Sequence, residues 1–382
     1  MLVYEYKVDG NHKQYAAIEE ARRVVQFIRN KCLRLWMDGK RVSNNDLQTY
    51  CAVLAKVYPF ASRLNSQARQ ASADRAWFAI SRFYENCKEK KPGKKGYPKF
   101  QHNNRSVEYK QTGWQLDDDG KHITFTDGCG IGRLRLVGNK KQHLETFPVK
   151  AIKRVRLVRR ADGYYVQFAV KTQRSVSHVP SGKEIGIDVG LKAFLTDSQG
   201  NTVENPRHYR KAEKNLKRLG RRLSRKQKHS SNRKKARKAL AKQHLKVQRQ
   251  REDFARKQAN ALVSSHDLIA YEHLQIRNMV RNRRLAKSIH DAGWGIFLHW
   301  LAYYGRVHAI QILAVPPHFT SQKCSECDTI VKKSLSVRTH MCPRCGLVMD
   351  RDQNAAKNIL EKALSSHRGC TGGHSETDGL AP

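Results

Sequence analysis

Long apolar runs are missing from this 382-residue chain. No stretch reaches the roughly 18 to 20 consecutive apolar residues of a membrane helix, so no span is expected. The opening MLVYEYKVDG alternates apolar and polar positions, without a charged start and an apolar block, so no signal peptide is expected either. Negative charge is scarce: 33 Asp and Glu stand against 74 Lys and Arg, a formal net charge of +41. A field of one sign this large repels itself unless a polyanion neutralises it, and RNA or DNA is the natural candidate. A ribosomal or packaging protein has the same balance, so charge names a partner class and not an activity. A disulfide framework is also missing. The nine cysteines are an odd number; four cluster as two C-x-x-C pairs, while Cys32 and Cys51 fall on apolar helix faces. That usage suits a reducing cytosol, with thiols as metal ligands or core filler.

What is present suits two or three folded domains. Residues 2–8 alternate as a strand ended by Asp9-Gly10-Asn11. Ala17, Ala21, Val24, Ile28, Leu35 and Trp36 then recur at helical spacing. A second helix starts at Ser43/Asn44, and a third runs from about Leu64 to Cys87, so a small helical bundle follows a single strand. The segment KEKKPGKKGYPKFQ breaks the helix with Pro92, Gly93, Gly96 and Pro98 while presenting Lys94, Lys95 and Lys99. Short antiparallel strands fill the region to about Gln173, including a hairpin through Ala161-Asp162-Gly163, and suggest a small β-barrel into which the bundle is inserted. From Ser181 strands and helices alternate. Residues 207–257 are nearly saturated with Lys and Arg, their only acids being Glu213, Glu252 and Asp253. Two leucine-marked stripes broken at His229-Ser230-Ser231-Asn232 predict a helical hairpin. Its excess of one sign is too great for pairing within the helices, so Arg218, Arg221, Arg222, Arg225, Lys234, Lys235, Arg237 and Lys238 are expected to face phosphates.

Three acids sit in patterns that suit bound cations. In EIGIDVG, Ile185, Ile187 and Val189 share one strand face, while Glu184, Gly186 and Asp188 share the other. Glu272 ends the buried-looking strand Leu268–Tyr271, at the carboxyl end where α/β sheets gather their ligands. Asp352 opens the helix-like RDQNAAKNIL. Carboxylates converging from separate elements can hold two Mg²⁺ or Mn²⁺ ions about 4 Å apart for phosphodiester hydrolysis. A strand with a central Asp followed by a hairpin is also how ribonuclease H-like nuclease folds begin. Asp352 alone could equally be a helix cap. Just before it, KCSEC and MCPRCG supply Cys324, Cys327, Cys342 and Cys345, two knuckles suited to one structural zinc; His340 is surplus to that set.

GIDVGLKAFLTDSQG, YEHLQIRNM, TSQKCSEC…CPRCG and DRDQNAAKNIL, in this order, resemble the TnpB family. These are RNA-guided RuvC-like nucleases of small bacterial insertion sequences, relatives of type V CRISPR effectors. The resemblance implies a multidomain α+β chain. Residues 1–10 and 88–180 would form a wedge barrel, with a recognition bundle (11–87) inserted. Residues 181–317 and 350–365 would form a RuvC-like α/β domain carrying a zinc ribbon (318–349), followed by a disordered tail (366–382). It implies a guide RNA, a short flanking DNA motif and metal-dependent cleavage of double-stranded DNA in a bacterial cytoplasm, on the nucleoid when DNA-bound. By motif position the catalytic acids are Asp188, Glu272 and Asp352, with Asp350 the alternative for the third. Cys327-Asp328 stands where the family usually has Cys-Gly. A repressor that has lost cleavage, or an accessory transposase-like DNA binder, are the competing functions. The first should lack one of the acids, and all three are present.

Overall fold

Asn11 begins the first helix by exchange: its side chain accepts the Gln14 N–H while the Gln14 side chain accepts the Asn11 N–H, both at 2.9 Å. In the computed structural model, which describes residues 1–39, 41–138, 147–172, 174–334 and 336–370, the chain divides into two compact units, Met1–Arg174 and Ser175–Pro382. In the first, β1 (Leu2–Asp9) leads into α1 (His12–Asp38), α2 (Asn44–Val57), α3 (Pro59–Ser62) and α4 (Ser66–Lys88). Ser43 and Asp46 repeat the capping box at α2. Buried Ala68, Ala71, Ala73 and Ala76 let α4 lie close against α1 and α2. There follow β2 (Ser106–Tyr109), β3 (Trp114–Leu116), β4 (His122–Phe125), β5 (Gly132–Val137), β6 (Ile152–Arg160) and β7 (Gly163–Val170).

These strands make one antiparallel sheet in the order β2-β6-β7-β1-β5-β4-β3, with β1 at its middle. The expected barrel does not close: among the described residues the edge strands β2 and β3 share no ladder. The chain between them turns toward α4, where Gln67 Oε1 accepts both the Gln111 and Thr112 N–H groups. Side chains bridge the gap instead. Tyr109 of β2 lies 4.9 Å from Phe125 of β4 and donates to Asp127 at 3.0 Å. Helices and sheet share one apolar core, containing Tyr6, Ile18, Ile28, Leu54, Ile80 and Phe168.

The second unit contains β8 (Glu184–Val189), β9 (Ala193–Asp197), β10 (Thr202–Glu204), α5 (His208–Ser224), α6 (Ser231–Ser265), β11 (Leu268–Glu272), α7 (Ile276–Met279), α8 (Ala286–Ala292), α9 (Trp294–His308), β12 (Gln311–Val315), β13 (Thr339–Met341), β14 (Val348–Asp350) and α10 (Arg351–Cys370). Its main sheet runs β10-β9-β8-β11-β12; the first three strands are antiparallel, and β11 pairs in parallel with β8 and β12. Residues before Ser181 already belong here. Asp267 accepts the Ser181 and Gly182 N–H groups and pairs with His178 at 2.6 Å, within the compact unit that runs from Ser175. The tail expected from 366 starts as helix, since α10 runs on to Cys370; within it the Ser365 and Ser366 hydroxyls donate to the carbonyls of Glu361 and Lys362. Residues 371–382 lie outside those described. Among the described residues no helix is long and apolar enough to cross a membrane.

The two faces of this sheet are dressed differently. Ile185, Ile187, Ile269 and Phe194 pack with Ala255, Ala259 and Val263 of α6 and Phe297 and Leu301 of α9. On the other face Leu268 and Ala270 meet Ile359 and Ala363 of α10. Room beside Asp188 comes from Gly186, and α10 itself takes it. A Cβ on Gly186 would lie 2.1 Å from the Ala356 carbonyl oxygen and 2.9 Å from the Leu360 nitrogen. Gly186→Ala is therefore expected to destabilise the second unit by about 3 kcal/mol, the upper range for overpacking. At Gly190 the nearest contact would be 3.1 Å, so Gly190→Ala should cost less. Thermal melts of the two variants check this; a parent-like melt for Gly186→Ala defeats the close-packing argument.

Candidate active site and metal centres

The parallel ladder of β8 and β11 ends at the pair Ile187–Tyr271. One residue further along each strand stand Asp188 and Glu272. Alternation from Gly186 and Ala270 puts both on the face that α10 covers. Asp352 is the second residue of α10. Burial pushes the Asp188 carboxyl well above its ordinary range, and the negative charges of Glu272 and Asp352 push it further, against the pull of Arg351 and Arg338. Glu272 is raised by burial too, although the Thr320 hydroxyl donates to it and Lys362 lies near. The sites thus feel one another, but their ligand oxygens do not all lie within 4.8 Å. Among the described residues, no hydrogen bond or ion pair satisfies the Asp188 carboxylate.

Asp352 is held from two sides. Its Oδ1 accepts from Arg351 at 3.0 and 3.2 Å, and its Oδ2 from Arg338 at 3.3 Å. Asp350 has different work. Its Oδ1 accepts the Asp352 N–H at 2.8 Å and the Gln353 N–H at 3.3 Å, which makes it the N-cap of α10.

Two residues that sequence reasoning missed fasten this helix to the cysteine knuckles. Asn354 and Asn358, both fully buried, donate to the Lys323 carbonyl at 2.7 Å. Asn358 also donates to the carbonyl of Thr320, whose hydroxyl reaches Glu272. Asn354 accepts the Ser325 N–H. The available signal was slight: two asparagines four apart inside a helical pattern, where this residue type is a poor helix former.

Cys324, Cys327, Cys342 and Cys345 form a zinc-ribbon-like cluster, with all four sulfurs within 4.8 Å of one another. Two pairs are 3.5 and 3.6 Å apart, far beyond a disulfide bond and close to the roughly 3.8 Å edge of a tetrahedron with Zn–S near 2.3 Å. Bonds from the Thr329 side chain and backbone draw the Cys327 thiol down to about 6, which favours the thiolate a metal takes. The knuckles turn alike. Asp328 (φ 65°) and Gly346 (φ 75°) follow the second cysteine of each, and their N–H groups reach the carbonyls of Cys324 and Cys342. The left-handed backbone explains a glycine preference there, and Asp is among the few residues that tolerate it. His340 is buried beside Lys333, outside the sulfur cluster. A second group, Asp117, Asp119 and His122 on the β3–β4 hairpin, also has ligand atoms within 4.8 Å. There Arg133 and Lys121 already engage the two carboxylates.

The basic hairpin is α5 and the start of α6. Leu216, Ala236 and Val247 are buried within it, while Arg218, Arg221, Arg222, Arg225, Lys234, Lys235, Arg237 and Lys238 are all exposed. In the first unit Lys94 and Lys99 are exposed, and Lys95 is half-buried with its ammonium on the Lys91 carbonyl.

Comparison with known proteins places these motifs. A family model described as "Probable transposase" matches residues 167–283, and one described as "Cas12f1-like, TNB domain" matches 294–359. A "Putative RNA-guided DNA endonuclease" of Streptomyces pristinaespiralis is 38% identical over 184 residues, 48% of this chain but only 46% of that relative. A "Putative RNA-guided DNA endonuclease InsQ" of Escherichia coli K12 is 31% identical over 299 residues, 74% of this chain and 71% of the relative. The "TnpB-like protein L79" of Acanthamoeba polyphaga mimivirus is 27% identical over 219 residues, 52% of this chain and 41% of that one. Among solved structures, the Cas12f1–sgRNA–target DNA complex matches at TM-score 0.54 and 14% identity, covering 91% of this chain and 82% of that one. The mini-RNA-guided endonuclease CRISPR-Cas_phi3 matches at 0.58 and 10%, covering 95% and 92%. Identities this low speak for the mixed α/β fold alone. The Escherichia coli match carries the assignment: this chain belongs to the TnpB family.

Proposed function

We propose that the chain is an RNA-guided, divalent-metal-dependent DNA endonuclease. Asp188, Glu272 and Asp352 would be its catalytic acids, set in a RuvC-like domain and acting beside a flanking motif for a transposable element. The observation that carries this reading is Asp188: a half-buried carboxylate that has no hydrogen bond or ion pair among the described residues, next to a second carboxylate on the neighbouring strand and within electrostatic reach of a third on α10. A partly desolvated anion beside two others costs stability and calls for cationic compensation. All-oxygen donors fit Mg²⁺ or Mn²⁺. When bound, such ions supply an activated water and charge stabilisation at the leaving oxygen.

The chain's own parts would divide the remaining tasks. Asp188 and Glu272 hold the cations from the rigid strand ends, and Asp352 completes the set from the first turn of α10. Asp350 fixes where that turn starts. The cysteine cluster would hold a structural zinc that pins the segment before α10, and Asn354 and Asn358 transmit that anchoring to the helix. The first unit would be the wedge and recognition portion, and the α5–α6 hairpin would run along phosphates. The guide RNA and DNA target are inferred from what the relatives are named for. Base pairing would supply sequence choice while the protein handles duplex shape and backbone. A repressor without cleavage is disfavoured because no acid is missing.

With a guide RNA and Mg²⁺, Asp188→Asn is expected to lower plasmid cleavage by about a hundredfold or more while RNA binding is retained. Asp350→Ala should cost about 1 kcal/mol of stability and spare most cleavage. Undiminished cleavage by Asp188→Asn would end the two-metal assignment. Raised carboxyls make the folded form bind more protons than the unfolded one. Their stabilising share is therefore present at acid pH and lost as pH rises through the raised value. Metal-free Asp188→Asn should thus melt above the parent at neutral pH, with the gap narrowing as pH is lowered. Equimolar zinc should survive dialysis, measured by atomic absorption, and Cys342→Ser should lose it along with stability of the second unit; a zinc-free, fully stable parent returns the thiols to another role.

A further inference from the structure

Trp36 of α1, Phe83 and Tyr84 of α4, and Tyr97 beyond α4 form one ring cluster. The Trp36 ring lies 5.9 Å from Tyr84 and 5.6 Å from Tyr97, and Phe83 lies 5.3 Å from Tyr97. Trp36 Nε1 donates to the Tyr84 hydroxyl at 3.1 Å. Such a cluster ordinarily closes a core, yet Tyr84 and Tyr97 are 51% and 53% exposed, and neither they nor Phe83 pack against the core of the first unit. The loop that carries Tyr97 is tied down. Asn86 donates to the Lys95 carbonyl at 3.0 Å, Arg29 to the Lys99 carbonyl at 3.2 Å, and Asn30 exchanges two bonds with Gln101. Tyr97 itself stands between a left-handed Gly96 and the buried Pro98. Along this same segment Lys88, Lys90, Lys94 and Lys99 are exposed and have no acidic partner among the described residues.

We infer that this cluster is a stacking platform for unpaired bases of an RNA strand, with the neighbouring lysines on its phosphates. Pre-positioned rings with exposed faces offer each base a sequence-tolerant surface, and unpaired lysines supply the matching charge. A duplex could engage the lysines, but its base faces are buried in its own stack. A protein partner would meet an apolar patch fenced by uncompensated cations. The choice of RNA rests on the guide-RNA reading above, since a folded RNA presents unpaired loops before any DNA is opened.

The test uses the full chain freed of nucleic acid and anisotropy of labelled oligomers. For a short uridine oligomer, Tyr97→Ala should weaken binding on the order of tenfold. The dependence on salt should not change, because no phosphate contact is removed. Tyr97→Trp should bind as the parent does. An RNA duplex of equal length should be indifferent to both changes. Parent-like binding by Tyr97→Ala, or equal loss on the duplex, overturns the platform while leaving the nucleic-acid reading intact. A thymidine oligomer that alone loses affinity overturns the assignment to RNA. A parent protein that binds no RNA at all refutes the reading on which the platform rests.

Discussion

The chemistry-bearing part of this molecule depends on how closely one helix approaches one strand. At Gly186 the backbone of α10 occupies the space where any other residue would have a side chain. Ala270 on the neighbouring strand and Ala356 on the helix keep the same layer thin. With that approach fixed, the first turn of α10 arrives at the ends of β8 and β11, and Asp352 comes within electrostatic reach of Asp188. The cysteine cluster and the buried asparagines act on the same helix, through the carbonyls of Lys323 and Thr320.

Charge sets the cost of this arrangement. The chain has 33 acids against 74 basic groups, and many of the acids in the structure are paired with a nearby cation. Glu108 shows the ordinary solution. It is buried but surrounded by Arg75, Arg154 and Arg156 within 3.3 Å, and their pull leaves its carboxyl below the usual range despite burial. Asp188 and Glu272 go the other way, raised and close together. Two carboxylates handled so differently from their peers are the feature on which the proposed function rests.

Much of the layout was legible in the sequence because it rests on local rules. Helical periodicity located α1, α2 and α4, and the alternation in EIGIDV sorted Ile185 and Ile187 from Gly186 and Asp188. The C-x-x-C pairs announced four sulfurs that the fold gathers. Illegible features depended on contacts between distant segments. The sheet of the first unit stays open, and the connection between its edge strands bonds to Gln67 on a helix. The linker before Ser181 joins the second unit because Asp267, nearly ninety residues on, collects its backbone donors. Asn354 and Asn358 look like ordinary helix-surface residues until their partners are seen.

Sequence alone determined the residue types and their local settings: a basic chain, acids at strand ends and a helix start, cysteines in knuckles, lysines around a Gly–Pro segment. These follow from composition and short-range periodicity, which need no knowledge of neighbours in space. Tertiary structure decided which groups meet. It made Asp350 a cap and put Asp352 between Arg351 and Arg338, gave the space beside Gly186 to a helix, and left Tyr84 and Tyr97 uncovered. Such outcomes turn on packing distances of a few ångströms between segments far apart in the chain, and no local pattern encodes those.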